Sequence, residues 1–411
     1  MKKNWVIISF INFFIASLLG LVLRVAHVYE IPGLEFRKVM YAHFHVSMLG
    51  WLYLVIYSII WSTFIDKSSR SRAIYERLFW LTQASVIGMI FSFSFHGFGV
   101  ASAVFVGLHL FISYLFVVLV WMDKSRQSSP SELLLRTSLL WMLLSTIGVW
   151  VVVYLVTGNI RNLVFYHMAI QFFLHFQFNG WFTFIVLAIF YNELEKKGLN
   201  FNRRLFMWFF WLLVVSCILT YALSVAWSNP HKILFFMNGT GVLVQLAAVF
   251  VFMGITKSLL REYGKGLSPL VRIFFILALI SFILKILIQS AVVLPQVAVI
   301  SYTIRQFVVG FVHLTVLGSV SAYIIGLLLD RNVISKSSLP GRWGSWLFLS
   351  SFIVIEMLLF IQGLFLWFEW GFLPYYYEFV LFFTVLLTGS ILILLVDLIS
   401  RDGSVRNSFR D

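Results

Sequence analysis

The sequence predicts an all-α polytopic membrane protein with twelve spanning helices. Three observations predict it. Hydrophobic residues make up 61% of the chain and charged residues 11%, with a mean hydropathy of +0.97; a soluble chain of this size would lack the polar surface to cover itself. Apolar runs of about twenty residues, the length that crosses a bilayer, recur along the whole chain. Lysine and arginine gather in alternate connections between those runs.

Taken in order, the runs are approximately 5–23, 39–65, 78–95, 101–122, 133–156, 163–191, 205–227, 233–255, 270–293, 306–329, 343–367 and 379–399. The first follows Met1-Lys2-Lys3. It is longer than the apolar core of a signal peptide, and no small-residue cleavage site follows it, so it reads as a retained helix. No connection is long or polar enough for a soluble domain, so residues 1–411 are expected to form a single transmembrane domain.

Orientation follows from the basic residues. With the N-terminus in the cytoplasm, the outer connections hold Arg24, Arg37, Lys38, Arg161, Lys232 and Arg305. The cytoplasmic connections hold more at every loop: Lys67, Arg70, Arg72 and Arg77 before the third run, and Lys124, Arg126 and Arg136 around the start of the fifth. Both termini, with Arg401, Arg406 and Arg410 at the C-terminal end, are therefore expected in the cytoplasm. This distribution accounts for the net charge of +14 without a nucleic-acid partner. The one cysteine, Cys217, excludes a disulfide framework and a cysteine-ligated zinc or iron–sulfur site.

The histidines carry the chemistry. His45-Val-Ser-Met-Leu-Gly50, His175-Phe-Gln-Phe-Asn-Gly180 and His313-Leu-Thr-Val-Leu-Gly318 share one pattern, a histidine followed five residues later by glycine. They fall on the second, sixth and tenth runs, four apart each time, which suggests an internal repeat. A histidine in a lipid-embedded helix is costly and is usually functional. On the expected topology all nine histidines lie in the outer half of the bundle or beside it; His175 is deepest, about 18 Å along its helix at 1.5 Å per residue.

Imidazole is a common ligand for haem iron and for copper. A haem held between helices needs axial histidines with nothing bulky beside them, and glycine allows the close approach of a neighbouring helix or of a flat macrocycle. Helix packing by the glycines and interhelical hydrogen bonding by the histidines would explain the same pattern. His43 and His45 lie about 200° apart around a helix, so they cannot face one site. His45 matches the repeat, and His43 stays open as the ligand. On the sixth run His167, Gln171 and His175 stand at i, i+4 and i+8 on one face, extended by Asn179. That row could line a water path or hold a second metal such as copper, with His109 as the candidate to complete its ligand set. Lys285 and Glu356 are ionisable residues deep in the ninth and eleventh runs, where such groups pair or carry protons or ions. Arg37 and Arg305 each stand eight residues before a repeat histidine, where they could meet the propionates of an outward-facing haem or anchor the helix at the interface.

The twelve runs with histidines on the second, sixth and tenth resemble the catalytic subunit of haem–copper oxidases and nitric oxide reductases. His43-Phe-His45-Val-Ser-Met-Leu-Gly50 and His313-Leu-Thr-Val-Leu-Gly318 resemble the NnrS family, bacterial membrane proteins associated with haem, copper and the response to nitric oxide. The resemblance implies an oxidase-like arrangement of the four-helix repeat in the bacterial inner membrane. It implies a b-type haem ligated by His45 (or His43) and His313, with copper as a second metal at His167, His175 or His109. It also implies a diatomic gas as ligand and a donor protein or quinone as electron source. The chain departs from the oxidases in having no histidine in the seventh run and a single one in the tenth, so the full oxidase ligand set is absent. The expected function is electron transfer, or the binding or detoxification of nitric oxide or a related gas, at a haem near the outer face. The rival is a proton- or ion-coupled transporter using Lys285, Glu356 and the stripe of Gln171 and its neighbours.

Overall fold

The computed structural model describes residues 1–66, 71–123, 129–228 and 230–407, with backbone only for Pro295 and for 402–407. The described residues are 86% helical, with no strand among them. Among the described residues, twelve helices are long and apolar enough to cross a membrane: Lys3–Val28, Phe36–Phe64, Arg72–His96, Val100–Met122, Pro130–Thr157, Leu163–Lys196, Arg203–Ser228, Lys232–Lys265, Pro269–Ala291, Arg305–Asp330, Leu339–Trp367 and Tyr376–Arg401. They are called spans one to twelve below. The protein is therefore an all-α polytopic membrane protein. Each expected run falls on one of these helices, with only 39–65 and 270–293 reaching past the helix end, at Phe64 and Ala291. Most helices outrun the apolar stretch, because a helix satisfies its own backbone and continues into the interface. A short helix, Pro295–Thr303, precedes span ten and was not expected; proline at its first turn, where a missing N–H costs nothing, starts it. Of the basic residues used for orientation, Lys67, Arg70, Lys124, Arg126 and Arg410 lie outside the described residues.

Several helix starts have side-chain caps that the sequence supplies. Ser129 accepts from Glu132 N ahead of Pro130, Asn162 Oδ1 accepts from Phe165 N at 3.0 Å, and Ser338 Oγ accepts from Gly341 N at 3.0 Å. Asp397, fully buried in span twelve, ties down the loop before span eleven by accepting from Ser335 N at 2.9 Å and from the Ser338 hydroxyl.

The chain divides into two compact units. The first comprises Met1–Ser125, Ile273–Phe275 and Ile324–Asp411; the second comprises Arg126–Arg272 and Ile276–Tyr323. Aromatic stacking fills the first: Trp5 on Phe79 at 4.6 Å, Phe13 on Trp51 at 4.3 Å and Tyr57 on Phe116 at 4.1 Å between ring centroids. In the second, Trp141 stacks on Phe176 at 5.2 Å, and Tyr191 meets Phe201 and Phe206 edge-on at 5.0 Å each.

Spans two, six and ten share a feature that periodicity did not predict. Each is interrupted by a π-helical segment: Val46–Leu52, Phe176–Phe182 and Leu314–Ser321. Each segment begins at the residue after a repeat histidine. The entry geometry is the same three times. Val46 N–H is shared between the carbonyls of Ala42 and His43, Phe176 N–H between those of Phe172 and Phe173, and Leu314 N–H between those of Gly310 and Phe311. The repeat glycine is the fifth residue of each segment. In a straight α-helix, residues five apart face about 140° away from each other. The i→i+5 bonding of a π turn brings them round toward one side.

Candidate functional site

A π turn removes carbonyls from the i→i−4 ladder, and each must find another donor. In span two, Gly50 O accepts from Asn12 Nδ2 of span one at 3.2 Å, and Asn12 is locked to Gln83 of span three by bonds of 2.7 and 3.2 Å. In span six, Phe178 O accepts from Thr183 Oγ1 at 2.7 Å, and Gln177 Nε2 donates to Ser145 Oγ of span five at 2.8 Å. The first two π turns are thus each tied to the preceding span by a buried polar contact. Sequence reasoning missed Asn12, Gln83, Ser145 and Gln177. The visible signal was Asn12, the one amide side chain in the first apolar run, 5–23.

The glycines are packed against protein. A Cβ on Gly50 would lie 3.0 Å from Val86 Cγ1 and 3.2 Å from Asn12 Cβ; one on Gly180 would lie 2.7 Å from Trp141 Cβ and Cγ. These two positions serve helix packing, the plainer of the two roles the sequence allowed them.

Three histidines of the first unit share one hydrogen-bonding pattern. His45 Nδ1 lies 2.8 Å from Tyr41 O, His43 Nδ1 2.8 Å from Ala16 O and His27 Nδ1 2.7 Å from Leu23 O. A carbonyl only accepts, so Nδ1 carries the proton in each ring and Nε2 keeps its lone pair. The bonds differ in what they hold. That of His43 reaches span one, where its Cε1 would be 2.9 Å from a Cβ on Gly20. It fastens two helices together. That of His45 stays within its own helix and only orients the ring, which stacks on Phe93 of span three at 4.1 Å. The two rings face different neighbours, as their angular separation requires. His27 stacks on Tyr377 at 5.5 Å. All three rings are half-buried.

His109 of span four is fully buried, edge-on to Tyr53 at 4.7 Å. Its Nδ1 lies 3.4 Å from Ser113 Oγ, and the Leu49 backbone of span two also acts on the ring. His45 is near enough to act on it electrostatically. Arg24 likewise acts on both His43 and Glu356, which gathers three ionisable groups from spans one, two and eleven. Arg37 is exposed.

In the second unit His175 is bonded on both sides. Its Nε2 lies 2.8 Å from Cys217 O of span seven, and its Nδ1 lies 3.3 Å from Asn179 Nδ2. Nε2 therefore donates, Nδ1 accepts, and neither nitrogen has a lone pair open to a metal. A metal at His175 requires it to release Asn179. The row along span six runs from exposed His167 through half-buried Gln171 to buried His175 and Asn179. Among the described residues no group of three His, Cys, Asp or Glu side chains is disposed to hold a metal ion. His313 is half-buried and Arg305 exposed. His96 is exposed at the end of span three, and His231 caps span eight, its Nδ1 accepting from Ile233 N at 3.3 Å.

Lys285 is 2% exposed in span nine. Its Nζ donates to Phe178 O at 3.4 Å and Thr183 Oγ1 at 3.5 Å, both long. One turn on, Gln289 Nε2 reaches Asn179 Oδ1 at 3.5 Å, and Gln245 Nε2 of span eight reaches Gln289 Oε1 at 3.4 Å.

The fold and site define a polytopic α-helical membrane protein with a thrice-repeated histidine–π-turn element. No protein-family model matches the chain, and no curated protein matches it.

Proposed function

We propose that the chain is a haem-binding protein of the NnrS type, in the bacterial inner membrane with both termini cytoplasmic, and that His45 is an axial ligand. The observation that carries this reading is the His45 ring. Its Nδ1–H is spent on the carbonyl one turn back, an arrangement that fixes the tautomer and orientation of a metal-ligating imidazole. No described residue hydrogen-bonds its Nε2. Phe93 covers one face of the ring and holds it in place. These residues fit an axial ligand, whereas His43, whose bond joins two helices, fits a structural role. Bound haem would supply reversible one-electron chemistry and an iron centre for a diatomic gas. The residues of this chain would position and shield it, with Arg37 available to a propionate at the surface.

The test is an optical spectrum of the detergent-purified protein, oxidised and dithionite-reduced, with a pyridine haemochrome assay for stoichiometry. A sharp reduced α-band that is lost in His45→Ala and kept in His43→Ala is the expected result. His313→Ala in the same assay tests the sequence-based expectation of a second axial histidine. A featureless visible spectrum after expression with ample haem contradicts the proposal.

A further inference from the structure

The polar cluster around Lys285 is unused by the haem reading and does not depend on it. Four residues from three helices of the second unit form it: Asn179, Gln245, Lys285 and Gln289. Lys285, Gln245 and Asn179 are each at least nine-tenths buried. A buried ammonium is ordinarily matched by a carboxylate. No acidic side chain among the described residues forms an ion pair with Lys285; its hydrogen bonds go to a carbonyl and a hydroxyl at the outer limit of hydrogen bonding, and its titratable neighbours are the Cys217 thiol and the His175 ring. Each nearby amide uses one N–H in a bond of 3.3–3.5 Å and has a second N–H to offer. Typical N–H···O bonds are about 2.9 Å. The bonds here are uniformly long, so packing holds the groups apart.

The cluster thus offers spare donors and a cationic side chain with no carboxylate paired to it, beside one unpartnered acceptor, Gln245 Oε1. It stands beside the π turn of span six, whose Phe178 carbonyl anchors the lysine. Lysine acts on anions as a compact point charge, and primary amides donate to anions without adding charge. We propose that Lys285, Asn179 and Gln289, with Gln245 behind them, bind a small monovalent inorganic anion of halide or nitrate size. The ion neutralises the ammonium and takes up the spare amide N–H groups. A divalent anion is disfavoured by a single cation.

The full-length protein is purified in detergent with gluconate as the only anion. Its unfolding temperature is then followed while bromide or nitrate replaces gluconate at constant ionic strength. The wild type should show a saturable rise, and Lys285→Met should show none. Gln289→Leu should weaken the apparent affinity by about tenfold, the scale of losing one hydrogen bond to an ion. No rise in the wild type overturns the proposal. A rise of the same size in Lys285→Met also overturns it, because the effect is then a general salt effect. If Lys285→Met does not fold, Gln289→Leu decides: an unchanged bromide affinity overturns the site. Haem content measured on the same samples separates failure here from failure of the haem reading.

Discussion

His45 in span two and His175 in span six begin the same backbone element, a shared N–H followed by a π turn with glycine at its fifth position. Their rings are used differently. His45 bonds its own helix through Nδ1 and leaves Nε2 to whatever approaches. His175 bonds a neighbouring helix through Nε2 and a side chain of its own helix through Nδ1. The repeat therefore conserves a backbone device and not a ligand set. The π turn lets a histidine and a helix-packing glycine act from one span, and the residue four positions after the histidine sets the ring chemistry. After His175 that residue is Asn179, which saturates Nδ1. After His45 it is Leu49, which cannot.

Substitutions on the two π turns sharpen the contrast. Gly180→Ala should have the larger effect, because its Cβ would meet Trp141 Cβ and Cγ at 2.7 Å, atoms close to the backbone that cannot swing aside. A loss of about 1–3 kcal/mol is expected from overpacking, read as a lower unfolding temperature in detergent. His175→Phe should cost a similar or smaller amount, about 1–2 kcal/mol, by orphaning Cys217 O and Asn179. Asn12→Leu should cost about 1 kcal/mol, since it strands Gly50 O and Gln83 within the membrane. Gly50→Ala should stay within about 1 kcal/mol of wild type: its nearest neighbour is a methyl group of Val86 that can shift, and alanine recovers roughly the helix propensity that glycine gives up. If Gly50→Ala proved costlier than Gly180→Ala, the packing account of these glycines would be reversed.

Much of the fold was legible in the sequence. All twelve spans were, because hydropathy over about twenty residues measures the property that makes a helix span. The repeat was visible too, as three histidines five residues ahead of glycine. The π turns were not anticipated, although a five-residue interval is out of phase with an α-helical face and was itself a signal. The ring partners were invisible. Tyr41, Ala16 and Cys217 act through backbone carbonyls, which every residue has, so no side-chain pattern marks them. Asp397 and Gln245 were passed over because a single polar residue scarcely alters the mean hydropathy of its run. The sequence made His45 and His175 copies of one motif and gave the first to a haem and the second to a possible second metal. The structure distinguishes them by the carbonyl each ring bonds and by Asn179, which sequence reasoning had taken as an extension of a polar row.

The most direct test of the central claim is the haem content of His45→Ala and His175→Ala, purified side by side and measured by pyridine haemochrome against protein concentration. The account predicts loss of haem in His45→Ala and wild-type stoichiometry in His175→Ala, despite the lower stability of the latter. Haem retained in His45→Ala but lost in folded His175→Ala would contradict it.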